Sequence, residues 1–129
     1  MTLRDRYPDV QRVLDVLGRR TFLLDQAAGS RIAFADVDLR SAFLYQAELG
    51  GAVFSDVHLE GSFLKEANLQ GAKLDGTILT AVILKAADLR GADLSGAQDL
   101  SRADLTGAIA DAETTWPTGF DWRKAGVRR

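Results

Sequence analysis

The single histidine of the chain, His58, stands twenty residues after Asp38. An imidazole beside a carboxylate is the smallest general-base pair, and a third group that orients the ring would complete a catalytic set. No such third group is evident. The sequence holds no glycine-rich phosphate loop, no carboxylates clustered at short spacing and no metal-ligand motif. With no cysteine, thiol catalysis, disulfides and cysteine metal sites drop out, and the composition fits a cytoplasmic protein. The expectation is a protein that is not an enzyme, with no cofactor and no metal.

Two further sets of residues offer recognition chemistry. Phe43, Phe63 and Ile83 recur at steps of twenty, with Tyr45 and Ile78 close to them in phase. Turned outward, they would form an apolar strip of the kind that marks an interface. Asp38, Glu48, Asp88, Asp93, Asp99 and Asp104 form a second, acidic series, and evenly spaced carboxylates can stand in for the phosphates of DNA. Among these, Asp88, Asp93, Asp99 and Asp104 are the candidate acidic face. Which way any of them points depends on the elements that carry them.

Those elements follow from a period of five. A leucine or phenylalanine returns every five residues from Phe34 to Leu94, and two positions before each stands a small or β-branched residue, as in Ala42, Ala47, Ala52, Val57 and Ser62. A helix turns about 100° per residue, so a five-residue step would rotate successive leucines by roughly 140° and leave no buried stripe. A continuous strand alternates faces, so an odd step would send successive leucines to opposite sides. What remains is a short extended piece in which the large residue (position i) and the small one (i−2) share a face, followed by a corner. The corner position i+2 is glycine at Gly51, Gly61, Gly71, Gly76, Gly91, Gly96 and Gly107, but Asp36, Ser41, Gln46, Asp56, Glu66, Ala81 or Ala86 elsewhere. This mixture suggests that positive φ is not obligatory at every corner. Four corners close a square, and likeness at twenty residues (Phe34 with Phe54; Ala47 with Ala67 and Ala87) supports four units per coil.

Ala-Asn-Leu-Gln-Gly at 67–71, Ala-Asp-Leu-Arg-Gly at 87–91, Ala-Asp-Leu-Ser-Gly at 92–96 and Ala-Asp-Leu-Thr-Gly at 103–107 resemble the units of the pentapeptide-repeat family. The resemblance runs from about Ile32 to Ala110. It implies an all-β solenoid, a right-handed quadrilateral β-helix with the central Leu or Phe and the small i−2 residue inside. About four coils give a shaft of roughly 19 Å. Some members of the family are acidic DNA mimics that bind DNA gyrase or topoisomerase and protect it from quinolones or peptide toxins. Asp at i−1 also belongs to the ordinary unit of the family, where it can hydrogen-bond locally at the corner.

The ends must close the shaft. Residues 1–31 are expected to form a helical cap and starter coil, because Val10, Val13, Leu14 and Leu17 make a helical stripe that Gly18 stops. Residues 32–110 form the solenoid, and 111–129 a cap and tail in which Trp116, Phe120 and Trp122 plug the open core, all within one structural domain. Between Leu94 and Leu100 the step is six, so one residue near Gln98 should bulge.

Charge is uneven: 32–110 carries eleven acidic and six basic residues, while both ends lean basic. No apolar run is long enough to span a membrane, and no leader pattern opens the chain. The expected partner is therefore a protein or a second copy, with no direct nucleic-acid binding and no membrane. Phe43, Tyr45, Phe63, Ile78 and Ile83 are the candidate interaction face, and the same residues are equally suited to internal cover by the N-terminal segment or the tail. Recognition of gyrase or topoisomerase through the acidic series is the alternative.

Overall fold

The computed structural model of the chain describes residues 33–34 and 38–129. The expected helix over 9–18 and the starter coil lie outside the described residues. From Ala33 onward the backbone is a succession of single parallel bridges, one per five-residue unit, arranged in four columns. The first face carries Ala33, Val53, Lys73, Asp93 and Thr115; the second Asp38, His58, Ile78 and Gln98. The third carries Phe43, Phe63, Ile83 and Asp104, and the fourth Glu48, Asn68, Asp88, Ile109 and Arg128. Four columns joined by a chain that visits them in turn make a four-sided β-solenoid.

Each rung is tied twice to its neighbours. On the third face the Leu44 N–H donates to Phe63 O at 2.8 Å, and the Phe63 N–H donates back to Ala42 O at 2.9 Å. Each corner is tied as well, as where the Gln46 N–H reaches Lys65 O at 3.0 Å. Within the coil, the carbonyl of the large residue accepts from the N–H three positions later, as in Ala47 N–H to Leu44 O at 3.1 Å, except at Phe54, whose carbonyl takes the Thr77 hydroxyl instead. That four-residue turn needs a positive φ at its third position. Glycines at the corners have φ of 68–73° from Gly51 to Gly107, and Ser41, Gln46, Asp56, Glu66, Ala81 and Ala86 adopt 55–59°. Positive φ therefore occurs at corners with and without glycine, and the expectation that it is not obligatory at every corner holds only at Gly96 among the described corners. The backbone geometry of the square imposes it, and the side chain present merely tolerates it.

Gly96 is the informative exception, for it does not appear among the positive-φ residues. A Cβ there would meet the Asp75 carboxylate of the preceding coil, an exposed side chain that would have to swing aside. The left-handed residue moves to Asp99, with φ 62°, which opens a short 3-10 turn over Leu100–Arg102. Gln98 keeps its place opposite Ile78, and Leu100 returns to the core. The extra residue is thus absorbed at Asp99 and the turn after it, next to Gln98 where the six-residue step places it.

The interior matches the small-x-large pattern. Leu39, Leu59, Leu64, Leu69, Leu84 and Leu89 are fully buried, and Phe34 stacks on Phe54 with ring centroids 5.1 Å apart. The Ala47, Ala67 and Ala87 column lies wholly inside and continues as Ala108. Two buried hydroxyls return hydrogen bonds to the backbone: Thr77 to Phe54 O, and Thr114 to Leu89 O at 2.8 Å. The Ser62 Oγ is buried without a partner.

The ladder does not stop at Ala110. A second six-residue step brings Thr115 opposite Asp93 and places Trp116 next in the inward column of Phe34, Phe54, Leu74 and Leu94. Arg128 then pairs with Ile109, with the Arg128 N–H on Ala108 O at 2.7 Å, while Val127 joins the core. Trp116, Phe120, Trp122 and Ala125 pack on that core, and Trp116 stacks on Phe120 at 5.4 Å.

Two outcomes test this architecture. Leu64→Asp should place a charge in a dry interior and lower unfolding free energy by several kcal/mol, about 3 or more, whereas Ser62→Ala should leave it unchanged or raise it, because the hydroxyl lost there satisfies nothing. Ala81→Gly and Ala86→Gly should each stabilise by about 0.5–1 kcal/mol, opposite in sign to the usual effect, since glycine accepts the left-handed corner without strain. Thermal and denaturant melts of the four variants read both.

Candidate functional site

The third face gathers the apolar strip. Phe43 and Phe63 occupy successive rungs with ring centroids 4.9 Å apart and planes at 9°, and Ile83 continues the column until Asp104 ends it. Phe63 is 39% exposed although the backbone on both sides of it is locked in the ladder. Tyr45 lies past the Leu44 rung toward the next corner and is 54% exposed. Its hydroxyl meets the Glu66 carboxylate, which pushes its pKa above the ordinary phenolic value. Ile78 sits on the neighbouring second face, half-buried between His58 and Gln98. Four of the five expected residues therefore border the third face, and Ile78 lies around the corner.

The acidic series is distributed differently. Asp88 stands on the fourth face, Asp93 on the first and Asp104 on the third, while Asp99 follows Gln98 at the bulge of the second. They do not form one face. The reason is the period itself: a step of five residues moves the chain one face on, so neighbours in the sequence series become neighbours around the shaft and not along it. A carboxylate line along one face would need acids at steps of twenty.

These carboxylates also have local work. Asp88 takes the Arg90 guanidinium at 2.6 and 2.9 Å, the Arg90 N–H, and the Gln70 amide at 2.7 Å. The Asp93 carboxylate accepts the Ser95 N–H, the Ser95 hydroxyl at 2.6 Å and the Thr115 hydroxyl at 2.7 Å. The Thr106 N–H donates to Asp104 at 3.0 Å. Asp99 accepts from the Thr80 hydroxyl at 2.6 Å and lies 3.7 Å from Arg102. Hydrogen bonds favour the ionised form, so the Arg90 side chain holds Asp88 below the usual carboxylate range, the Ser95 and Thr115 hydroxyls do so for Asp93, and Thr106 does so for Asp104. The recurring motif is an Asp or Asn at i−1 that accepts the N–H of i+1, seen again at Asp38 with Arg40 and Asn68 with Gln70.

His58 faces outward, and its Nδ1 lies 3.1 Å from Glu60. Asp38, the carboxylate expected beside it, grips the Arg40 guanidinium at 2.7 Å. The ring is thus one partner of an exposed pair. Among the described residues no group of His, Cys, Asp or Glu is placed to hold a metal ion, and no helix is long and apolar enough to cross a membrane.

Two surface features went unremarked in the sequence. Ile109, 41% exposed, adds an apolar residue to the fourth face; its twenty-residue phase is displaced by the extra residue at Asp99, which hid its column. An open cleft of about 340 Å³ lies between the 3-10 turn and the tail, lined by Asp99, Ser101, Pro117, Thr118 and Phe120 among others. It exists only because two irregular segments meet, and a periodicity argument carries no signal for that.

Comparison with known proteins agrees with the ladder. The family model for pentapeptide repeats matches eight copies over residues 34–71 and 64–98. A pentapeptide repeat protein from the cyanobacterium Cyanothece 51142 superposes with a TM-score of 0.63 at 38% identity, covering 65% of this chain and 56% of that one. One from the thylakoid lumen of Arabidopsis thaliana gives a TM-score of 0.57 at 21% identity over 74% of this chain and 57% of its own, a likeness of fold. The chain thus spans little more than half the length of either. A search of curated proteins gives no significant match. With units of one phase bridged in four parallel columns and matched by that family model, the chain belongs to the pentapeptide-repeat family.

Proposed function

We propose that the chain is a non-enzymatic interaction module that recognises a protein through the third face of its solenoid. The observation that carries this reading is the Phe43, Phe63 and Ile83 column: apolar rungs held outward on a rigid ladder, with Phe63 substantially exposed. Outward apolar side chains add nothing to the core, and a strip of them loses unfavourable hydration when covered. On this reading the shaft winds right-handed, as in other members of the family, and the Trp116, Phe120 and Trp122 cluster closes its C-terminal end, so that association occurs side-on.

Mimicry of DNA toward gyrase or topoisomerase has weaker support. Its carboxylates ring the shaft on four faces, and Asp88, Asp93 and Asp104 spend their lone pairs on their own corners. Interspersed cations at Arg90 and Arg102 further break any phosphate-like line.

The test sets the two against each other. Phe43→Ser combined with Phe63→Ser should abolish dimerisation in light scattering or capture of a partner from native lysate, with melting little changed because both rings point out of the core. Reversal of Asp88, Asp93 and Asp104 to Lys should leave association intact. Inhibition of gyrase supercoiling that is lost on Asp reversal and kept in the Phe double variant would overturn the proposal.

A further inference from the structure

Within the described shaft, arginines at i+1 are answered inside their own unit. Arg40 meets Asp38 two positions before it, and Arg90 meets Asp88 at the same spacing. Lys65 and Lys85 occupy the equivalent i+1 positions on the corner beside the third face, one coil apart. In their units, however, the position of the answering aspartate is taken by Phe63 and Ile83. The substitutions that create the apolar strip are therefore the same ones that leave the two lysines without a carboxylate. Both are exposed, and neither forms an ion pair within the described structure. Lys85 attracts the Asp104 carboxylate on the next rung of the third face, which is held below its usual range first by its bonds to Thr106 and, to a smaller extent, by Lys85. Glu66, beside Lys65 in sequence, is engaged with Tyr45.

From this juxtaposition, and resting on the reading of the third face as an interaction surface, we infer that the partner element is an acidic amphipathic helix laid along the solenoid axis. Its apolar stripe covers Phe63 and Ile83, and its flanking Asp or Glu residues meet Lys65 and Lys85. The geometry favours a helix. Rungs repeat at about 4.8 Å along the axis, and helical turns at about 5.4 Å, so two to three turns with apolar residues at i, i+4 and i+7 stay in step with the column. A strand adds to a sheet edge, and the amides of this face are already spent on neighbouring coils. Nucleobases would need free ring faces, yet Phe43 and Phe63 stack on each other at 4.9 Å and present their edges outward. A second copy laid antiparallel would set Lys65 against its own counterpart, a repulsive arrangement.

The test uses the full chain and a synthetic helical peptide of about 15 residues, with Leu at i, i+4 and i+7 and Glu on both flanks; its control carries Lys in place of Glu. Fluorescence anisotropy should show the Glu peptide binding at least about tenfold more tightly than the Lys peptide, with the difference shrinking as salt rises. Lys65→Glu with Lys85→Glu should invert that preference, and Phe63→Ser should lose both. Equal binding of the two peptides, binding of neither, or preference for anionic phosphatidylglycerol vesicles over the Glu peptide would overturn the inference. A dimer in light scattering that dissociates on lysine reversal would overturn it too, by naming a second copy as the occupant. In capture from lysate, loss with Phe63→Ser but not with lysine reversal would sink the acidic helix and leave the face reading standing; indifference to both would sink both.

Discussion

The left-handed corner is the constraint on which everything else rests. Extended backbone lasts only long enough to place one small and one large side chain inside, and the chain must then turn with a positive φ before the next side begins. That conformation is costly for residues with a Cβ, on the order of 1–2 kcal/mol each, yet Ser41, Gln46, Asp56, Glu66, Ala81 and Ala86 all adopt it. The cost is tolerable because every corner is over-determined. A bond to the next coil ties each from above, a turn hydrogen bond closes all of them but Asp56 from within the coil, and a buried leucine, or Phe54 at the Asp56 corner, anchors it from inside. Leucine burial offers roughly 1.5–3 kcal/mol per side chain, which exceeds the strain at each turn.

Because the core consumes only two of every five positions, the outward i−1 and i+1 positions can vary without disturbing the interior. The ordinary unit uses that freedom for local order: an i−1 carboxylate or amide accepts the i+1 N–H, and an i+1 arginine folds back on the carboxylate. A unit that departs from this pattern exposes both halves of what it has lost. Phe63 and Ile83 stand at the i−1 positions that hold Asp in units such as Asp88 and Asp93, so an apolar patch and lysines with no carboxylate in their own unit arise together.

Much of the fold was legible from residue spacing alone. The inward columns, the all-alanine Ala47, Ala67 and Ala87 stack and the coil length follow from the period, since only one backbone path buries a residue every five positions. Corner φ is less legible, because residue type reports what a position tolerates, whereas backbone closure dictates what it does. The apolar strip was readable through its twenty-residue step. The acidic series looks continuous in sequence, although each unit turns through a right angle and carries its acid to a new face. Ile109, the rung at Thr115 and the pairing of Arg128 were hidden by six-residue steps that shift the phase.

Those phase shifts have a consequence for how the chain finds its native alignment. A perfectly uniform array is degenerate: threading the chain one unit forward would put each leucine into a slot shaped for another leucine, with nearly equal energy. Asp99 and the segment before Thr115 remove that freedom, because each fits a single site, opposite Thr80 in one case and beneath Leu94 in the other. They act as a vernier for the coil stack. The stacked pair Phe34 and Phe54 lies at the other end of the described coils, where leucine-shaped slots do not suit a ring. Irregular residues at both sides of the described array thus select one threading among many that the repeat alone would permit.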